Sequence, residues 1–227
     1  MPISTDKQVI ELKKDASSYL KLGDFSKAQK SIKKALELKP NSNNLVHELA
    51  KINLKSKNFH LSLELLLELE DRVTKKDILY KDIGLSYFGL GKLEKALYFS
   101  HKSLEVDSKY IEALVLKGKT LRELENYDEA MATFDKVISK SSNHRDALYQ
   151  KGKINHILGK YRESLDLFDK VLAITPRDIE VLQAKGLSHD ELNEYREASD
   201  AINKSKTVED EVIYNDRGVA LTRLGYN

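Results

Sequence analysis

Small and bulky side chains recur along this chain at a fixed interval of 34 residues. One row of small residues is always Ala or Ser and comprises Ala28, Ser62, Ala96, Ala130, Ser164 and Ala198. A second small row lies twelve positions earlier and comprises Ala16, Ala50, Gly84, Gly118, Gly152 and Gly186. A bulky row lies three positions before the first row and comprises Phe25, Phe59, Leu93, Tyr127, Tyr161 and Tyr195. Because these rows share one period, the pattern predicts a repeat architecture.

Within each period, apolar residues recur at helical spacing, stop at a short polar stretch, and then recur at helical spacing again. In residues 111–144 the polar stretch offers Asn126 or Asp128 as the N-cap of the second helix. Pro40 and Pro176 fall between periods, where a helix must already have ended. Each period therefore predicts two amphipathic helices joined by a tight turn.

The repeat divides the chain into successive units after an N-terminal extension at residues 1–8. The predicted complete units are 9–42, 43–76, 77–110, 111–144, 145–178 and a shortened 179–210. A partial seventh unit covers 211–227, where Gly218 follows Gly186 by 32 residues because two residues are missing from the intervening turn. We expect residues 9–227 to form a single array.

Four glycines in the second small row need a physical reason. A glycine within a helix costs roughly 0.5–1 kcal/mol relative to alanine, so its repetition indicates that a side chain would collide with a neighbour. We expect that neighbour to be the backbone of another helix. Because one unit cannot bury both of its faces, successive units must stack.

These rows resemble the tetratricopeptide repeat, a helix–turn–helix with small residues at its eighth and twentieth positions and a bulky apolar residue at its twenty-fourth. In one unit Gly152, Ser164, Phe168 and Pro176 match the eighth, twentieth, twenty-fourth and thirty-second positions. Lys-Gly pairs in three units resemble the variety common in prokaryotic arrays. The resemblance implies an all-α, right-handed superhelical solenoid of antiparallel helix pairs that binds another protein.

In the resembled family, the first helix of each unit lines a concave groove that holds a peptide or partner protein. The equivalent positions here are Lys13, Lys21, His47, Lys51, Lys55, Lys81, Phe88, Lys119, Arg122, Tyr149, Lys153 and His156. The last complete unit contributes Glu180, Gln183, Asp190 and Glu191.

Charge changes along this predicted groove. The net charge is only +2, but residues 1–76 hold 15 Lys and Arg against 10 Asp and Glu, which leaves 23 against 26 for the rest. We therefore expect the acidic part of a partner to lie toward the N-terminal units, with Phe88 and Tyr149 as apolar contacts. The alternative interpretation is that the lysines only keep the helix surface soluble.

Other binding classes fit less well. One branch of the family grips the C-terminal carboxylate of chaperones through Lys, Asn and Arg, whereas the equivalent positions here include Ser17, Glu48 and Asp82. That clamp is therefore absent. RNA-reading helical arrays repeat at 35 residues, so the 34-residue period disfavours nucleic acid. The unpaired helix at 211–227 predicts either self-association or a place in a longer array.

The sequence supplies no recognisable catalytic or cofactor site. It contains no cysteine, which excludes disulfides and thiolate metal ligands. Its six histidines lack metal-protease spacing, and the Gly-Lys-Thr beginning at Gly118 lacks the earlier glycine of a phosphate-binding loop. We expect no cofactor, no metal and no enzymatic activity. No apolar stretch has the length of a signal or membrane-spanning segment, so we expect a cytoplasmic protein without a membrane partner.

Overall fold

The computed structural model of the protein describes residues 4–204, and within that range the chain is all-helical without strands. Its helices are α1 (Thr5–Lys21), α2 (Phe25–Leu38), α3 (Asn43–Lys55), α4 (Phe59–Glu68), α5 (Asp77–Gly89), α6 (Leu93–Val106), α7 (Ile111–Glu123), α8 (Tyr127–Lys140), α9 (Arg145–Ile157), α10 (Tyr161–Ile174), α11 (Ile179–Glu191) and α12 (Tyr195–Lys204). Odd-numbered helices are the first helices of the predicted pairs, and even-numbered helices are the second. Gly218 and the partial unit 211–227 lie outside the described residues.

The bulky row marks the start of every second helix, because each of its six members is the first residue of an even-numbered helix. Two positions earlier the backbone has a positive φ in all six turns, at Gly23, Lys57, Gly91, Glu125, Gly159 and Asn193. In five of these turns a backbone N–H then donates to the carbonyl five residues earlier, as Asp24 does to Tyr19 over 2.9 Å. This bond satisfies a carbonyl at the end of the first helix and fixes the turn.

The observed ends of the helices can be compared with the boundaries that the sequence predicts. α1 begins at Thr5, within the residues predicted to be an extension, because the Ser4 side chain accepts a hydrogen bond from the Lys7 backbone N–H. Asn126 occupies the N-cap position of α8, although its side chain makes no capping hydrogen bond. Pro40 and Pro176 lie in the connections after α2 and α10, as predicted.

The helices form two compact units that divide between Leu124 and Glu125. In the first unit α2 packs on α3, α4 on α5 and α6 on α7, and the first helices also contact one another. In the second unit α8 packs on α9, α10 packs on α11, and α9 contacts α11. The division falls within the predicted fourth unit, 111–144.

The two small rows lie where helices come closest. All six members of the Ala/Ser row have 0% of their surface exposed. A Cβ atom on Gly152 would lie 2.4 Å from Cε1 of Phe168, and one on Gly186 would lie 2.7 Å from Cγ1 of Ile202. The expectation of a backbone neighbour is therefore corrected: for Gly152 and Gly186 the nearest obstacle is the bulky side chain sixteen residues later, and the Ala198 carbonyl is farther from the Gly186 position, at 3.4 Å.

The third repeat packs differently at the position sixteen residues after its glycine, because Ser100 stands where the other repeats have a bulky residue. Ser100 is fully buried and its hydroxyl donates to the Leu97 carbonyl over 2.7 Å. The neighbouring Phe99 ring packs instead against Tyr80 and Tyr87, with ring centroids 5.9 and 5.5 Å apart. Aromatic packing thus replaces the missing side chain.

Two buried serine pairs join successive repeats. The hydroxyl oxygens of Ser62 and Ser86 lie 3.3 Å apart, and those of Ser164 and Ser188 lie 3.2 Å apart. Where the Ala/Ser row holds Ala instead, the residue 24 positions later is Ile or Thr, as at Ile52. Each buried hydroxyl in this row is therefore matched by a partner in the next repeat.

Candidate partner-binding surface

In each compact unit, an open cavity lies on the surface of the first helices. The first cavity, of about 320 Å³, is lined by Lys13, Ala16, Ser17, Leu20, Ile32, Glu48, Lys51, Ile52 and Lys55. The second cavity, of about 240 Å³, is lined by Tyr149, Lys153, His156, Ile157, Glu180, Gln183, Ala184 and Leu187. Apart from Ile32 of α2, all these residues belong to α1 and α3 or to α9 and α11.

The two cavities occupy equivalent places in the repeat. Five lining positions of the second cavity follow those of the first by four repeats: Lys13 and Tyr149, Ser17 and Lys153, Leu20 and His156, Glu48 and Ala184, and Lys51 and Leu187. The same arrangement of helices therefore opens both cavities, while the residues at these positions give them different chemistry.

The structure places half of the predicted groove residues in these cavities. Lys13, Lys51 and Lys55 line the first cavity, and Tyr149, Lys153, His156, Glu180 and Gln183 line the second. The predicted residues that line neither cavity are Lys21, His47, Lys81, Phe88, Lys119, Arg122, Asp190 and Glu191. Of these, Lys21 is exposed, whereas Phe88 is half-buried against the core around Tyr80 and Tyr87.

Two ion-pair groups neutralise part of the predicted basic surface. The Lys13 ammonium lies 2.8 Å from Glu48, and His47 Nε2 lies 2.7 Å from Asp82, whose other oxygen pairs with Lys81. The sequence prediction counted all three basic groups as ligand contacts and missed these acidic partners. A signal was present, because both acids follow the basic residue of the preceding repeat by 35 positions.

Asp82 is the most deeply buried charge in this group, with 1% of its surface exposed. Burial by itself would raise the pKa of Asp82, but the hydrogen bond from His47 and the charge of Lys81 outweigh it, so the pKa lies below its usual value. Asp82 is therefore ionised at neutral pH. Nearby, burial and the charges of Glu112 and Asp82 raise the pKa of the Tyr110 hydroxyl to about 12.

In the second cavity Tyr149 forms a wall rather than an exposed contact. Only 4% of its surface is exposed, and its ring packs 5.9 Å from that of Phe168. The Arg145 guanidinium and the Lys153 ammonium lie 4.9 and 5.5 Å from the Tyr149 ring centroid. The exposed apolar groups of this cavity are instead Ile157 and Leu187, at 50% and 44%.

Polar bonds fix the remaining walls of the second cavity. Arg145 binds both carboxylate oxygens of Asp178 at 2.8 Å and also binds Glu180 at 2.8 Å, so the hydrogen bonds to Asp178 raise the pKa of Arg145. His156 Nδ1 lies 2.9 Å from the buried Ser188 hydroxyl. Both contacts join one repeat to the next, and each involves a residue that lines the cavity, Glu180 or His156.

Residues 4–204 offer neither a metal site nor a membrane-spanning helix. No cluster of three or more His, Cys, Asp or Glu side chains in that range could hold a metal ion. In the same range no helix combines the length and hydrophobicity needed to cross a membrane.

Comparison with protein families agrees with the repeat geometry. Residues 16–42 match the tetratricopeptide repeat family, and residues 90–171 match the family of anaphase-promoting complex, cyclosome, subunit 3. The chain has the tetratricopeptide repeat fold. No curated protein matches its sequence.

Solved structures of tetratricopeptide repeat proteins share the fold. A tetratricopeptide repeat protein from Parabacteroides merdae is 22% identical with a TM-score of 0.73, and the match covers 97% of this chain and 88% of that one. TTC0263 from Thermus thermophilus is 18% identical with a TM-score of 0.68, covering 83% and 99%. MamA from Desulfovibrio magneticus is 24% identical with a TM-score of 0.61, covering 67% and 88%.

Proposed function

We propose that this chain is a scaffold that holds a segment of a partner protein on the surface of its first helices. The observation that carries the proposal is the pair of repeat-equivalent cavities, one between α1 and α3 and one between α9 and α11. Each combines an apolar floor with a few charged or polar groups, which is the usual composition of a binding site. Tetratricopeptide repeat proteins are generally non-enzymatic scaffolds, and we extend that role to this chain.

Charge supports different ligand chemistry at the two cavities. In the first compact unit, Lys21, Lys51 and Lys55 are exposed, and their side chains take part in no hydrogen bond or ion pair with any described residue. Lys13 and Lys81 are already paired, so fewer cations are available than the sequence indicates. We propose that the acidic part of the partner lies at α1 and α3, whereas the exposed Ile157 and Leu187 receive an apolar part at α9 and α11.

Blocking both cavities tests this function. We expect Ser17→Trp combined with Leu187→Arg to abolish capture of the partners that the unmodified chain purifies from its native cell extract. The tryptophan fills the first cavity, and the arginine places a charge in the second. Ser18→Trp with Ile174→Arg is the matched control, since both residues are exposed and line neither cavity. Quantitative mass spectrometry provides the readout. Equal recovery of the same partners by both variants would refute binding at the first helices.

A further inference from the structure

The first cavity contains free cations beside an apolar floor. Lys51 and Lys55 both come from α3, four residues apart, so they lie one above the other on the same face of the helix. Both are exposed, and neither has an ion-pair partner within residues 4–204. Lys13, on the opposite wall, is neutralised by Glu48 at 2.8 Å. The available positive charge of this cavity therefore comes from one helix.

The floor between these charges is apolar. Ala16, Leu20, Ile32 and Ile52 line it, and Leu20 is the least buried of the four. A volume of about 320 Å³ lies at the lower end of the range for small-molecule sites, which suits one or two side chains of a partner. The cavity therefore combines room for an apolar side chain with two cations at its rim.

The equivalent cavity shows that this combination is specific to the first unit. The position of Lys51 is occupied by Leu187 in the second cavity, and that of Lys55 is occupied by Glu191. Glu48, which neutralises Lys13, corresponds to Ala184. Repeat geometry alone therefore does not account for the paired lysines.

We infer that the α1–α3 cavity binds a short acidic–apolar motif of a partner protein, an inference that rests on the proposed function. A large apolar side chain enters the cavity, and neighbouring carboxylates pair with Lys51 and Lys55. Extended chain places alternate residues about 6.6 Å apart, close to the separation of side chains four residues apart on a helix. Two acidic residues separated by one position can thus reach both lysines. The motif does not end in a C-terminal carboxylate beside Lys13, because Glu48 already neutralises that ammonium.

The test is a selection from a displayed library of random peptides of about twelve residues against the full chain, followed by affinity measurements on the enriched peptides. We expect the enriched sequences to place two acidic residues beside a large apolar one. Lys51→Glu with Lys55→Glu should weaken their binding by at least about tenfold, and the effect should shrink as salt is added. Lys30→Glu with Lys34→Glu is the control, because these exposed lysines of α2 have the same spacing and charge change outside the cavity.

A second pair of variants tests the apolar half. Ser17→Trp fills the cavity from an exposed position and should also weaken binding by about tenfold, whereas Ser18→Trp should not. Circular dichroism and unfolding midpoints check that all variants remain folded, and Lys51→Ala with Lys55→Ala is the milder replacement if charge reversal unfolds the chain. Enriched peptides that ignore these substitutions would overturn the motif but leave the scaffold role intact. If no peptide is enriched, the motif is overturned, whereas the scaffold role fails only if the Ser17→Trp, Leu187→Arg variant recovers the same partners as its control.

Discussion

Replacing Gly152 with valine should lower the free energy of unfolding by about 3 kcal/mol, although valine is the better helix former. A Cβ atom at this position would lie 2.4 Å from Cε1 and 2.8 Å from Cδ1 of Phe168. The ring is fully buried and packs against Tyr149, so it has little room to move away. Overpacking therefore outweighs the gain in helix propensity. Chemical denaturation followed by circular dichroism measures the difference.

Gly84 provides the graded comparison. Its added Cβ would first meet the flexible end of Leu116, at 3.0 Å, so Gly84→Ala should cost less than Gly152→Ala. Combining Gly152→Ala with Phe168→Leu should recover part of the loss, because the smaller side chain removes the contact. Helix propensity alone predicts that Gly152→Ala stabilises the chain. That result would contradict the close contact between Gly152 of α9 and Phe168 of α10.

The second large effect concerns Asp82. Asp82→Ala should lower the free energy of unfolding by about 3 kcal/mol at pH 7, because it removes the buried carboxylate that bonds to His47 and pairs with the Lys81 ammonium. The pKa of Asp82 is lowered in the folded protein, so its contribution is present above the unfolded pKa of about 4 and is lost as pH falls through the folded value. The difference between variant and parent should therefore shrink with acidification.

Urea denaturation at pH 7 and pH 3 measures this difference directly. Asp15→Ala is the control, because Asp15 is exposed on α1 and forms no ion pair with a described residue. It should leave the unfolding midpoint nearly unchanged at pH 7. A pH-independent cost for Asp82→Ala would show that lost packing, rather than lost charge pairing, causes the destabilisation.

The repeat fold could be predicted because its requirements recur in the sequence. Small residues such as Ala130 must lie where helices touch, and a bulky residue such as Tyr127 begins each second helix. The turns were harder to predict in detail. Gly23 and Asn193 suit the left-handed conformation, but Lys57 adopts it without that signal, since the surrounding hydrogen bonds impose the turn.

The candidate site was only partly predictable. Lys13 and Lys51 look alike in sequence, yet Glu48 pairs with the first and leaves the second exposed. That difference depends on how successive first helices face each other. Tyr149 likewise matched a groove position, but its place beside Phe168 buries it. Repeat position thus identifies the helix surface, whereas contacts between repeats decide which of its groups a partner can reach.

Hydrogen–deuterium exchange of the full chain, with and without an enriched peptide, tests most directly whether partners bind the first helices. We predict slower amide exchange in α1 and α3 for an acidic–apolar peptide, with α2 and α4 changing little, because the cavity lies almost entirely on first helices. Protection confined to the second helices would contradict the account.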